Sequence, residues 1–152
     1  MRRRNIAKPR EGGIEIAAMT GNMFNCVLLA DRHHGLTEGV RGLLETMFET
    51  VVMVADEPSL MESAARLQPE MVVVDVSLAR DGNLHWIRGL RERCPDLKLI
   101  VLSVHDEPSV QLAAAEAGAD GFVLKRAIAT DLLPTAEALL AGPGGIPPAK
   151  GV

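Results

Sequence analysis

From residue 25 onward the chain alternates between two textures. Short apolar runs stand at residues 26–30 (CVLLA), 51–54 (VVMV), 71–74 (MVVV), 99–102 (LIVL) and 121–124 (GFVL). They are rich in Leu and β-branched residues and are not interrupted by polar positions. An unbroken apolar run of this length predicts a strand covered on both faces, as in a parallel sheet sandwiched between helices.

Between the runs the period becomes helical. Leu36, Val40, Leu43, Leu44 and Met47 share one face. Pro58 stands where a second helix opens, ahead of Leu60, Met61, Ala64 and Ala65. Leu84, Ile87 and Leu90 mark a third, with Trp86 off their stripe and therefore expected half-exposed at the surface. Pro108 opens a fourth, whose buried side is small: Val110, Ala113, Ala114 and Ala117. Leu132, Leu133, Ala136, Leu139 and Leu140 mark a fifth, with Pro134 early in it, where it would kink the first turn, and Gly142-Pro143 as its stop. Five βα units predict an α/β, doubly wound, five-stranded parallel sheet of flavodoxin-like (βα)5 topology, strand order 2-1-3-4-5.

Composition narrows the possibilities. The chain has 152 residues, 47% apolar and 24% charged, which is an ordinary globular mixture. Aromatic residues are only 3%, too few for a base-stacking platform. The net charge is −4, and Arg2, Arg3, Arg4, Lys8 and Arg10 all lie at the start, so the rest is more acidic still. A nucleic-acid-binding domain needs the opposite balance, and direct nucleic-acid binding by this domain is not expected. Residues 1–24 read as a flexible basic tail, 25–142 as the folded domain, and 143–152 as a linker-like tail. Cys26 and Cys94 fit neither a zinc spacing nor a disulfide framework, which points to reduced thiols and a cytoplasmic protein. No apolar run is long enough to span a membrane.

In a doubly wound sheet the ligand site lies at the carboxyl ends of the strands. Asp31 follows the first apolar run, Asp75 the third, Ser103 the fourth and Lys125 the fifth. In the order 2-1-3-4-5 the first and third strands are neighbours, so Asp31 and Asp75 are expected to face one another. Two close carboxylates require a cation or a shared proton, and oxygen donors suit Mg2+. A carboxylate is also a nucleophile toward phosphorus. Phosphoryl transfer then needs positive charge and donors around the equatorial oxygens, which Lys125 and Ser103 supply. No Gly-rich phosphate loop follows the first strand: DRHHG holds neither a nucleotide nor a flavin. His33, His34, His85 and His105 gather toward the same edge but without a metal-ligand spacing.

LLADRHHGLTEGVRGLL, PEMVVVDVSL, LIVLSVHDEP and AGADGFVLKRA together resemble the receiver domain of a bacterial two-component response regulator. The likeness is to the subfamily that carries a C-terminal LuxR/NarL-like helix-turn-helix. It implies a signalling switch rather than an enzyme, controlled by a sensor histidine kinase, dimerising, and acting on transcription through an output domain absent from these residues. It also implies Asp75 as phosphoacceptor, with Ser103 and Lys125 as phosphoryl contacts. Asp31, Asp75 and the backbone carbonyl of Ser77 would be Mg2+ ligands, and Phe122 the aromatic switch residue.

Two local departures stand out. The family has two consecutive acids after the first strand; this chain has Asp31-Arg32. After the acceptor it reads Leu78-Ala79-Arg80-Asp81-Gly82 where a Met-Pro-Gly turn is usual. At about 4 Å and an effective dielectric near 20, one unit-charge pair is worth roughly 4 kcal/mol, so Arg32 is expected to weaken Mg2+ binding. Asp81 or Asp106 would compensate if their loops folded inward. Alternatively Arg32 pairs with Asp75 directly. A pseudo-receiver that no longer takes phosphate is the competing reading.

Overall fold

The computed structural model describes residues 24–32, 34–78, 84 and 86–141, without the side chains of 34–37. The expectations for the basic tail, His33, His85, Asp81, the His34 and Leu36 side chains and the C-terminal linker lie outside the described residues. Five strands form one parallel sheet: β1 (Phe24–Ala30), β2 (Phe48–Val54), β3 (Met71–Asp75), β4 (Lys98–Ser103) and β5 (Gly121–Leu124), in the order β2-β1-β3-β4-β5. The helices are α1 (His34–Leu44), α2 (Glu57–Leu67), α3 (Trp86–Arg93), α4 (Pro108–Ala117) and α5 (Ile128–Ala141). Short 3-10 turns follow β3 (Val76–Leu78) and β5 (Lys125–Ala127).

The apolar runs are unbroken because successive residues feed two different cores. Leu28, Ala30, Val72, Val74, Leu99 and Val101 face one layer, with Leu60 and Ala64 of α2, Ile87 and Leu90 of α3 and Ala114 of α4. Val27, Leu29, Met71, Val73, Ile100 and Leu102 face the other, with Val40 and Leu44 of α1 and Leu132 and Ala136 of α5. This division, α1 and α5 against α2 to α4, is the outcome of right-handed crossovers on either side of the starting strand. A fully buried Leu28 or Ile100 contributes about 1.5–3 kcal/mol over its exposed state. β5 is the shortest strand and runs tight against α5: a Cβ on Gly121 would sit 3.0 Å from Thr135 Cγ2.

Three expectations about the helices change. Trp86 is buried, only 5% exposed, in the layer that also holds Leu78 and Leu84. The expected stripe took Leu84 as helical, but α3 begins at Trp86, so its first side chain folds over the end of the core instead of outward. In α4 the inward line is Val110, Ala114 and Ala117, while Ala113 is exposed; in α2 Ala65 is exposed and Ser63 is buried. A helix lying on a sheet buries only a narrow stripe. Pro134 is the seventh residue of α5, not an early one, because buried Ile128 extends the helix upstream.

Candidate functional site

Parallel pairing aligns the carboxyl ends of the strands on one edge. Ala30 pairs with Val74, Asp75 with Leu102, and Ser103 with Leu124, so the residues at or just beyond these positions share that edge. Asp31 leaves β1 with its N–H bonded to the Val54 carbonyl, 3.0 Å away. Asp31, Asp75 and Ser103 are all buried. Lys125 heads the 3-10 turn after β5, and its ammonium pairs with Asp75 Oδ2 and lies 3.8 Å from Asp31 Oδ2. One cation thus stands between two buried carboxylates.

The remaining polar groups are committed locally. Asp75 Oδ1 accepts from the Ser77 N–H (2.7 Å), an Asx-type bond that bends the chain after β3. Asp75 Oδ2 is buried and has the Lys125 ammonium as its ion-pair partner. Ser103 Oγ accepts from the His105 N–H (2.9 Å) and donates to the His105 carbonyl (3.2 Å), so its hydroxyl tethers the loop ahead of α4. Phe122, half-buried, packs against the core layer that contains α3 and α4.

Arg32 is exposed, and its Nη1 donates to the Ser77 carbonyl at 3.3 Å. The expected pairing of Arg32 with Asp75 does not occur; the ammonium on Asp75 is that of Lys125. Asp106 does not fold inward to replace the missing acid, because it pairs with Arg126 (3.0 Å) on the surface. His105 is exposed, 3.8 Å from Glu107, and among the described residues no group of three His, Cys, Asp or Glu is placed to hold a metal ion. The donors implied for Mg2+ reduce to the Asp31 and Asp75 carboxylates and a carbonyl already holding a guanidinium. Those oxygens are of the type a hard divalent ion takes, but the guanidinium on the third, a positive charge where an acid would otherwise stand, opposes a divalent ion there.

Cys26 and Cys94 are free thiols. Burial, and secondarily the Glu70 carboxylate, pushes the Cys26 thiol above its ordinary range. Neither belongs to the carboxyl-end cluster. Two contacts had no local signal in the sequence. Arg32 reaches Ser77 across 45 residues of chain, and Arg126 fastens the turn after β5 to Asp106 in the loop ahead of α4.

The family model described as the response regulator receiver domain matches residues 27–137. The chain belongs to the response regulator receiver family. Its receiver domain is 33% identical over 121 residues to the nitrate/nitrite response regulator protein NarP of Escherichia coli, covering 78% of this chain and 55% of that protein. It is 29% identical to the transcriptional regulatory protein DegU of Brevibacillus brevis, covering 80% of this chain and 52% of that protein. The chain therefore spans about half the length of these curated relatives. Among solved structures, a LuxR-family two-component response regulator from Aurantimonas superposes with a TM-score of 0.71 at 29% identity, covering 77% of this chain and 85% of that one. The isolated receiver domain of RcsB from Salmonella enterica, solved with phosphomimetic BeF3−, gives 0.71 at 27% identity, covering 84% of this chain and 95% of that one. Among the described residues no helix is long and apolar enough to cross a membrane.

Proposed function

We propose that this receiver is a phosphorylation-controlled switch in which Asp75 accepts a phosphoryl group from a sensor histidine kinase. The observation that carries the reading is the Lys125 ammonium lodged between the buried carboxylates of Asp75 and Asp31. In the transfer, a carboxylate oxygen of Asp75 attacks phosphorus and a P–O bond forms. The P–N bond of the donor phosphohistidine breaks, and its electron pair returns to the imidazole. Lys125 stays with the new charge. The Ser103 hydroxyl leaves His105 and donates to a phosphoryl oxygen, so the loop ahead of α4 is released and Phe122 repacks. The altered face around α4 and β5 then controls pairing of two copies in the cytoplasm. The relatives' names as transcriptional regulators support an output on transcription, through a DNA-binding domain that follows residues 25–142.

A second reading, favoured by Arg32 on the Ser77 carbonyl, is a pseudo-receiver that keeps the fold as an interaction module without taking phosphate. Incubation with acetyl phosphate, followed by intact mass, separates the two. A phosphoryl gain in the wild type that disappears in Asp75→Asn is the expected result. No gain in the wild type under any ionic condition replaces the first reading with the second.

A further inference from the structure

Charge at the carboxyl-end cluster points to a role for Arg32 that goes beyond weakening a metal site. Asp31 and Asp75 each bring one negative charge, and Lys125 and Arg32 each bring one positive, so the four side chains sum to zero. With an acid in place of Arg32 the same four would sum to −2, which a divalent cation brings back to zero. Exchanging an acid for arginine adds two positive charges, the charge of the ion itself. Position agrees with charge. The guanidinium is held at 3.3 Å on the Ser77 carbonyl, the backbone oxygen that would otherwise face the metal.

We propose that Arg32 stands in for the divalent cation, making this receiver independent of Mg2+. The inference rests on the reading of Asp75 as phosphoacceptor. A guanidinium is permanently charged and planar and presents paired N–H donors that match two oxygens of a phosphoryl group. It neutralises the site before a phosphoryl donor arrives, whereas a metal must first be collected from solution. Arg32 is exposed and, among the described residues, is tied by a single bond of ordinary length, so it can turn from the Ser77 carbonyl to the incoming oxygens at small cost. A bound Mg2+ would have to displace the guanidinium and then share the pocket with it, and so the two cations exclude one another.

The test titrates Mg2+ into wild type and Arg32→Asp, followed by thermal midpoint and by fluorescence of Trp86, the single tryptophan. Wild type is expected to show no change up to about 10 mM. Arg32→Asp gains a midpoint rise of several degrees once Mg2+ reaches about a hundred times its Kd. Acetyl phosphate labelling in EDTA and in Mg2+ adds the functional arm. The wild-type rate stays within about twofold between the two, and that of Arg32→Asp falls at least about tenfold in EDTA. Should Arg32→Asp not fold, Arg32→Gln replaces it: it is expected to label at least about tenfold more slowly than wild type in EDTA, and labelling at the wild-type rate would overturn the proposal. Wild type that binds Mg2+ below the millimolar range, or that labels only when Mg2+ is present, also overturns it. If neither protein labels, the phosphoacceptor reading fails, while the titration still decides whether Arg32 excludes the metal.

Discussion

At the amino-terminal edge of the sheet, Arg91 of α3 is fastened from every side. Its Nη1 donates to the Leu97 carbonyl, its Nε and Nη2 to the Gly118 carbonyl at 3.2 and 2.9 Å, and Nη2 pairs with Asp120. Asp120 in turn accepts from the Leu99 N–H at 2.9 Å, and its own N–H bonds the Leu99 carbonyl at 2.8 Å. Gly118 makes this possible: at φ 120° it turns the chain out of α4 and exposes its carbonyl to Arg91. At the carboxyl edge, Lys125 faces two buried carboxylates, and among the described residues its ammonium is paired with those carboxylates alone. The same ingredients, a cation and acids at strand ends, serve two purposes. Where the cation's donors are spent on backbone carbonyls, the pair holds neighbouring segments in register. Where they are left facing charge, the pair can reorganise around a new anion.

The largest way to break this contrast is to remove the two cations in turn. Lys125→Met is expected to slow phosphoryl labelling by about 10²–10³-fold, the loss typical of deleting one preorganised electrostatic contact. Arg91→Met leaves labelling unchanged but costs about 2–3 kcal/mol in denaturant unfolding, because three backbone and side-chain acceptors lose their donor. If Lys125→Met destabilised the fold as much as Arg91→Met with no loss of labelling, the division between the two edges would be wrong. A sharper version is Asp120→Asn, which keeps an acceptor for the Leu99 N–H and removes only the charge. It is expected to cost about 1 kcal/mol, within the range of a partly exposed pair.

The smallest effect comes from another acid, which follows β2 and yet behaves like the structural pair. Asp56 caps α2, accepting from the Ser59 N–H at 2.8 Å. That backbone bond, and then the Ser59 side chain, holds its carboxyl below the usual range. A lowered folded value means that the capping contribution is present above the unfolded pKa and is lost as pH falls through the folded one. The midpoint advantage of wild type over Asp56→Asn is therefore expected at neutral pH and should shrink on acidification below about pH 4. Thermal scans of the two proteins between neutral and acidic pH check it. An advantage that grew on acidification would mean that Asp56 is not acting as a charged cap.

Much of the candidate site was legible because it follows from one rule. Five continuous apolar runs announce strands buried on both faces, and parallel pairing places whatever follows them on one edge. Asp31, Asp75, Ser103 and Lys125 could thus be grouped before any contact was known. The strand ends were less legible. β2 begins at Phe48, where a buried Phe is followed by exposed Glu49 and Thr50. That early exposure marks an edge strand but is too short to stand out. Trp86 departs from its expected exposure because the phase of a two-turn helix depends on where it starts, and Leu84 lies before it. The Arg91–Asp120 pair has no signature in the sequence, since Arg in a helix and Asp in a loop are ordinary surface residues until packing brings them together.

Sequence alone determined the order of elements, the two-sided burial of the strands and the edge at which the charged residues collect. These depend on periodicity and on the handedness of βα connections, which are local or nearly so. Tertiary structure decided which charge meets which. Lys125 went to Asp75, Arg32 to the Ser77 carbonyl instead of Asp75, and Ser103 to the His105 backbone. The physical reason is one of range. A side chain's period along the chain selects the face it occupies, but the partner of a long, flexible cation is set by ångström-scale distances between segments tens of residues apart.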